Sequence, residues 1–285
     1  MPGRRGSRSS TALAARLLRA RSTIVRAVVG APAVLFACLS YSWVTLPDVR
    51  PLAAEAPATT AFMRLRAAES RDDAPAADWR WVPYARISEQ LRRAVVVTED
   101  AGFWGHDGVD YAELRIAIQD AVNDGTMPRG ASTLTQQLAK NLYLSPSRNP
   151  YRKFVELLIT RRLEAELSKT RILEIYLNVV EWGDGIWGAE AAARRYFNRP
   201  AADLSAAQAA LLAGALINPR VYSPASPNRR LLARQRLILA RMGSGTAPRR
   251  ASLDDEVPVE ATPEQPARTS PPQTGPVIQL PAPPR

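Results

Sequence analysis

The strongest constraint on this 285-residue chain is a set of helix starts written into its sequence. Thr133-x-x-Gln136 and Ser205-x-x-Gln208 are capping boxes. In each, a hydroxyl accepts the backbone N–H three residues on, and the glutamine there reaches back to the capping residue. The second box opens AAQAALLAGALIN, which Pro219 closes. Asp110-x-x-Glu113 has the same form and is followed by Leu114, Ala117, Ile118 and Ala121 at helical spacing. Asn149-Pro150 sets a cap before a proline at the first helical position and predicts a helix to about Leu167. Ser168 can cap another over KTRILEIYLNVV. Strand signals are nearly absent, AVVVT at 94–98 being the main ambiguous run, so the predicted class is mainly α.

The formal charge of +11 would ordinarily point to nucleic acid or an anionic membrane, so its position matters. Residues 1–47 hold Arg4, Arg5, Arg8, Arg16, Arg19, Arg21 and Arg26 and no acidic residue, which leaves the rest of the chain mildly basic. Directly after Arg26 comes an uncharged run, Ala27 to Pro47, about as long as the ~20 residues a helix needs to cross a bilayer. The arginines before it and Asp48 after it predict a single transmembrane helix with a cytoplasmic N-terminus and the remaining chain outside, with Tyr41 and Trp43 at the outer interface. A cleavable signal peptide is the competing reading, since AEAPA at 54–58 offers small residues, but its apolar core is usually only ~7 to 15 residues long. The single cysteine, Cys38, lies in the run, so the exported part forms no disulfide. With one histidine and no exported cysteine, a zinc or iron site of ordinary ligands is excluded, and only an oxygen-coordinated ion such as Mg²⁺ stays open. The expected organisation is a basic tail (1–26), a transmembrane helix (27–47), a stalk (48–80), a folded domain (81–243) and a disordered proline-rich tail (244–285) whose one docking feature is VIQL.

Three segments could carry chemistry. TEDAGFWGHDG at 98–108 sets Glu99 beside Asp100, and Phe103 and Trp104 can exclude water from nearby carboxylates. Equally, both aromatics can be core, Gly105 and Gly108 can serve turns, and His106 can bond to backbone; no other histidine exists to build a Ser-His-Asp triad. On the helix from Thr133, Gln137, Lys140 and Asn141 share one face while Leu134 and Leu138 occupy another. Amides and an ammonium so placed can bind sugar hydroxyls and phosphate, or can be a solvated face. On the Asn149 helix, Arg152 and Glu156 lie one turn apart, with Phe154, Val155, Leu158 and Ile159 on the apolar side. Read alone, that pair is also an ordinary exposed one worth about 0.3–0.5 kcal/mol.

Together these segments resemble glycosyltransferase family 51, the peptidoglycan polymerases, in its monofunctional form. EDAGFWGHDG fits the family pattern E-D-x-x-F-x-x-H-x-G, and GASTLTQQLAKN (130–141) fits G-x-S-T-x-T-Q-Q-x-x-K-N. RKFVE (152–156) fits R-K-x-x-E, and SKTRILEIYLN (168–178) and EWGDGIWGAEAAARRYF (181–197) resemble the last two blocks. The chain remaining after these blocks is too short for a transpeptidase domain. The resemblance implies a lysozyme-like α fold with a smaller membrane-facing lobe, in the bacterial inner membrane with the domain periplasmic. It implies lipid II and the growing glycan strand as substrates, other cell-wall synthesis proteins as partners, no nucleic acid, and no obligatory cofactor, with Mg²⁺ at the diphosphate as an open alternative. Carried over, Glu99 is the general base, and Glu156 assists at the leaving pyrophosphate directly or through a cation. Lys140, Arg148, Arg152 and Lys153 hold the diphosphate, and Ser132, Thr133, Gln136, Gln137 and Asn141 line the cleft. Asp100, Phe103 and His106 are its structural support. Thr160 and Arg161 depart from the more apolar family pattern, and the proline-rich tail is an addition.

Overall fold

The computed structural model describes residues 30, 32–33, 36–37, 39–69, 78–126, 130–147 and 149–244. Beyond the helical residues 39–45, nine helices follow among the described residues: α1 (Ala61–Glu69), α2 (Glu89–Glu99), α3 (Tyr111–Asp124), α4 (Leu134–Tyr143), α5 (Pro150–Glu166), α6 (Lys169–Val179), α7 (Ala189–Phe197), α8 (Ala206–Ala215) and α9 (Arg229–Ser244). The mainly α expectation holds. A small sheet is added in which β3 (Ile186–Trp187) lies between β1 (Asp78–Trp79), parallel to it, and β2 (Glu181–Gly183), antiparallel with a register shift.

The predicted caps are in place. Thr133 and Ser205 form complete boxes with Gln136 and Gln208, and Asn149 and Ser168 accept from the first turns of α5 and α6. Asp110 accepts from Glu113 N at 2.9 Å, and α3 ends on Gly125 in the left-handed region. The ambiguous AVVVT run is helical. Its β-branched residues disfavour a helix only by tenths of a kcal/mol each, and burial of Ala94, Val95, Val96 and Thr98 overrides that. α2 packs on α8 and α9, while α4 packs on α5 and α6, so one core runs between the two groups.

The end of the predicted span and the start of the predicted stalk belong to the body. Leu46, Val49 and Leu52 are buried in the main core, and Arg171 of α6 donates to Leu52 O at 2.7 Å and Glu55 O at 2.6 Å. Leu46, Val49 and Leu52 recur every third residue, but Pro47 and Pro51 interrupt any regular helix over them, so the sequence reads as a stalk. Residues 39–45 are helical and are tied to α5: Ser42 Oγ lies 2.9 Å from Tyr151 Oη, and the Arg162 guanidinium stacks 5.0 Å above the Trp43 ring. Among the described residues no helix is long and apolar enough to cross a membrane. The predicted span falls partly outside the described residues, as do Cys38, the basic tail and residues 245–285.

α1 has no buried residue and is held by contacts at its rim. Arg66 bridges to Glu181 at 3.3 Å and to Glu69 at 2.6 Å, and Phe62 presents its ring 5.9 Å from Lys140 Nζ.

The backbone turns sharply into α7 at Gly188, where φ is +82° and a Cβ would lie 2.6 Å from the Asn178 carbonyl oxygen. Both the torsion and the contact exclude a side chain. Gly188→Ala is expected to destabilise the fold by about 2–4 kcal/mol, measured by chemical denaturation.

Candidate active site

Glu99 and Asp100 end α2 and do different work. Asp100 Oδ2 accepts the backbone N–H of Leu134, the first residue of α4, at 2.9 Å, and its Oδ1 lies 3.0 Å from His106 Nε2. One buried carboxylate thus joins the end of α2, the start of α4 and the intervening loop. Thr133 adds a second tie by donating to Gly108 O at 2.7 Å. Gly108, at φ +82°, sits where a Cβ would be 2.7 Å from Thr160 Cγ2, so its turn role is required sterically. Phe103 is fully buried, with Lys169 Nζ 4.5 Å from its ring.

Two expectations for this loop are corrected. Trp104 is 54 % exposed and stands edge-on to Phe103, so Phe103 alone supplies the buried ring. His106 bonds to the Asp100 carboxylate rather than to backbone, and among the described residues its buried Nδ1 has no partner. Asp100, His106 and Asp110 bring ligand-type atoms within 4.8 Å of one another. Their bonds to Leu134 N, to each other and to Glu113 N account for that closeness without an ion.

Glu99 is turned the other way. Its Oε2 accepts from Gln137 Nε2 at 2.9 Å, and Gln137 Oε1 accepts from the Tyr176 hydroxyl at 3.0 Å. Glu99 also lines an open pocket with Asp110 and Glu113 from the start of α3 and with Gly130, Ala131 and Ser132.

Glu156, midway along α5, is only 3 % exposed, which removes the reading of Arg152 and Glu156 as an ordinary surface pair. Its Oε2 meets Arg152 Nη1 at 2.7 Å and its Oε1 meets Lys153 Nζ at 2.5 Å. Arg152 is further braced by donating to Ser147 O, and Lys153 Nζ reaches Ser132 Oγ at 3.3 Å. Lys140 lies within the fields of both Glu156 and Glu99. Burial pushes its pKa below the ordinary lysine range, and the positive charges of Arg152 and Lys153 push the same way, against the pull of the two carboxylates. A charged lysine with a depressed pKa costs the fold stability at neutral pH, and that cost fades as pH rises through the lowered value. Lys140 is therefore not held there for stability.

The remaining predicted site residues divide. Thr133 and Gln136 are spent on the α4 capping box, with Gln136 Oε1 accepting Thr133 N at 3.2 Å. Asn141 donates to the Gln137 carbonyl at 2.9 Å, and Ser132 lies at the pocket. Arg148 lies outside the described residues. Tyr176 and Phe62 are additions. A hydroxyl-bearing ring inside the apolar run ILEIYLNVV is a usable signal for Tyr176, whereas nothing around Phe62 marks it.

The arrangement sets a buried, amide-bonded carboxylate against a group of three cations built around a second carboxylate. It can take a proton on one side and receive a developing polyanion on the other. The chain is also similar to known proteins. The family model described as Transglycosylase matches residues 69–243. A biosynthetic peptidoglycan transglycosylase of Laribacter hongkongensis is 51 % identical over 189 residues, covering 65 % of this chain and 82 % of that protein. One of Herminiimonas arsenicoxydans is 50 % identical over 194 residues, 67 % of this chain and 84 % of its own. One of an Azoarcus species is 53 % identical over 168 residues, 58 % and 73 %.

The adjacent carboxylates are expected to separate cleanly on mutation. Asp100→Ala strands the buried Leu134 N–H and lowers unfolding free energy by about 2 kcal/mol or more. Glu99→Gln keeps a polar partner for Gln137 and changes it by less than about 1 kcal/mol, both read by urea denaturation.

Proposed function

The chain belongs to the transglycosylase family, and on that footing we propose that it polymerises lipid II into β-1,4-linked glycan strands, releasing undecaprenyl pyrophosphate. The observation that carries the reading is the pairing of Glu99 with the cations around Glu156, because a base alone cannot expel a diphosphate. Glu99 takes the proton of the acceptor sugar's 4-hydroxyl. That oxygen forms a bond to C1 of the donor sugar as the C1–O bond to the diphosphate breaks on the opposite face. The bonding pair leaves with the diphosphate, and the configuration at C1 inverts.

Lys140, Arg152 and Lys153 receive the charge that develops on the leaving group, a role the family resemblance also gives to Arg148. Glu156 supports them by pairing with Arg152 and Lys153, which holds two otherwise repelling cations side by side. Ser132, Gln137 and Asn141 line the cleft, and Thr133 and Gln136 build the helix that presents them. Both Glu156 oxygens are engaged by cations, so a Mg²⁺ ion at the diphosphate would compete there with Arg152 and Lys153. Phosphate oxygens and water would be its ligands.

The polymerase is anchored in the bacterial inner membrane by one span over 27–47, with the N-terminus cytoplasmic and the catalytic domain periplasmic. Seven arginines ahead of the uncharged run support this, as do the exposed Phe36, Tyr41, Trp43 and Val44. A lipid-linked substrate gives such an anchor a use, since enzyme and donor then share one surface. Other cell-wall synthesis proteins would meet it there.

Purified protein incubated with labelled lipid II is expected to form lipid-ended glycan strands, resolved by gel electrophoresis. Glu99→Gln should lower the rate by about 10²–10⁴-fold. Release of soluble sugars from preformed peptidoglycan with lipid II untouched would overturn the polymerase reading. Lys140→Ala should slow polymerisation by about 10²–10³-fold while leaving the melting temperature equal or higher, since it removes a desolvated charge. In the unaltered protein the rate should fall on the alkaline side before an ordinary lysine would titrate.

A further inference from the structure

We propose that Tyr176 is a positioning residue for the base, its hydroxyl holding the Gln137 amide with the amino end toward Glu99. The proposal rests on the reading of Glu99 as the base.

Tyr176 lies on α6 among the fully buried Ile172, Leu173, Ile175 and Leu177, and is itself 1 % exposed. A phenylalanine would fill the same space; what the tyrosine adds is a buried hydroxyl that needs a partner. It donates to Gln137 Oε1 at 3.0 Å, and Gln137 Nε2 donates to Glu99 Oε2 at 2.9 Å. A side-chain amide has a donating end and an accepting end, exchanged by a half-turn. With the accepting end taken by the phenol, only the donating end faces the carboxylate. That arrangement gives the carboxylate an N–H donor, the partner an acceptor requires. Turned over, the amide would offer its carbonyl to Glu99 and stabilise the protonated acid instead, leaving the base occupied.

Other charges face Glu99 as well: Lys140 from α4, Asp110 and Glu113 across the pocket from the start of α3, and Asp100 next in the chain. Replacing Tyr176 by phenylalanine changes none of them. A Gln137→Ala background then separates an effect carried by the amide from one that bypasses it.

The test compares the unaltered full chain with Tyr176→Phe in lipid II polymerisation from pH 5 to 9. The acid limb of kcat should move up by about one pH unit, with the rate recovering toward the plateau at alkaline pH and KM for lipid II unchanged. In a Gln137→Ala background, adding Tyr176→Phe should move the limb no further. Without substrate, the Gln137 side-chain amide resonance in a ¹H–¹⁵N spectrum should shift upfield in Tyr176→Phe as its bond to the carboxylate weakens. An acid limb that stays in place in Tyr176→Phe, an equal rate loss at every pH, or an unmoved amide resonance would overturn the proposal. If Glu99→Gln still polymerises, the base reading fails instead, and the amide spectrum reports separately on whether Tyr176 sets the amide.

Discussion

Everything at the site hangs on the bond from the Asp100 carboxylate to the Leu134 N–H. It puts a negative charge on the positive end of α4 and on a backbone donor that the helix cannot satisfy itself. The same carboxylate takes His106, so the loop between the helices is drawn into the joint. Once α2 and α4 are locked end to start, the residue before Asp100 has one direction left. Glu99 meets Gln137 one turn into α4, and Lys140 follows one turn later. A pair of adjacent acids is thereby divided into a strut and a reactive group.

Across from that joint, the electrostatics are arranged at a cost. Glu156 is buried, and removing a carboxylate from water is repaid only by close partners, here Arg152 and Lys153. Among the described residues Lys140 has no such pair, and burial is the largest influence on it. A group of cations kept partly dry and preorganised is a poor stability device and a good receiver for an anion that appears only as a bond breaks. The Thr160 departure from the family pattern fits this frame: its hydroxyl bonds back to the Glu156 carbonyl, and its methyl lies where Gly108 leaves room.

The helices were legible because their starts are local events. A capping box involves four consecutive residues, and Thr133–Gln136 and Ser205–Gln208 form in the fold as they are spelled in the sequence. AVVVT was ambiguous because its apolar run suits a strand or a buried helix, and only the faces of α8 and α9 select the helix. The packing of Leu46, Val49 and Leu52 and the exposure of Trp104 depend on surfaces formed by distant residues, so no local pattern reports them. At the site, Glu99, Lys140, Arg152 and Glu156 were readable as candidates from residue type and helical spacing. Thr133 and Gln136 were readable too, although their work is to build the helix.

By itself, the sequence determined where the capped helices α3, α4, α5, α6 and α8 begin and which polar side chains on them stand one turn apart, because those properties depend on neighbours within four residues. The tertiary structure decided which carboxylate ties α2 to α4 and which meets the Gln137 amide, that Glu156 is buried, and that Tyr176 reaches Glu99 through Gln137. Those outcomes require groups 34, 38 and 39 residues apart in the chain to come within hydrogen-bond distance. No local periodicity encodes that; only the packing of α4 against α5 and α6, with α2 joined to its start, brings the groups together.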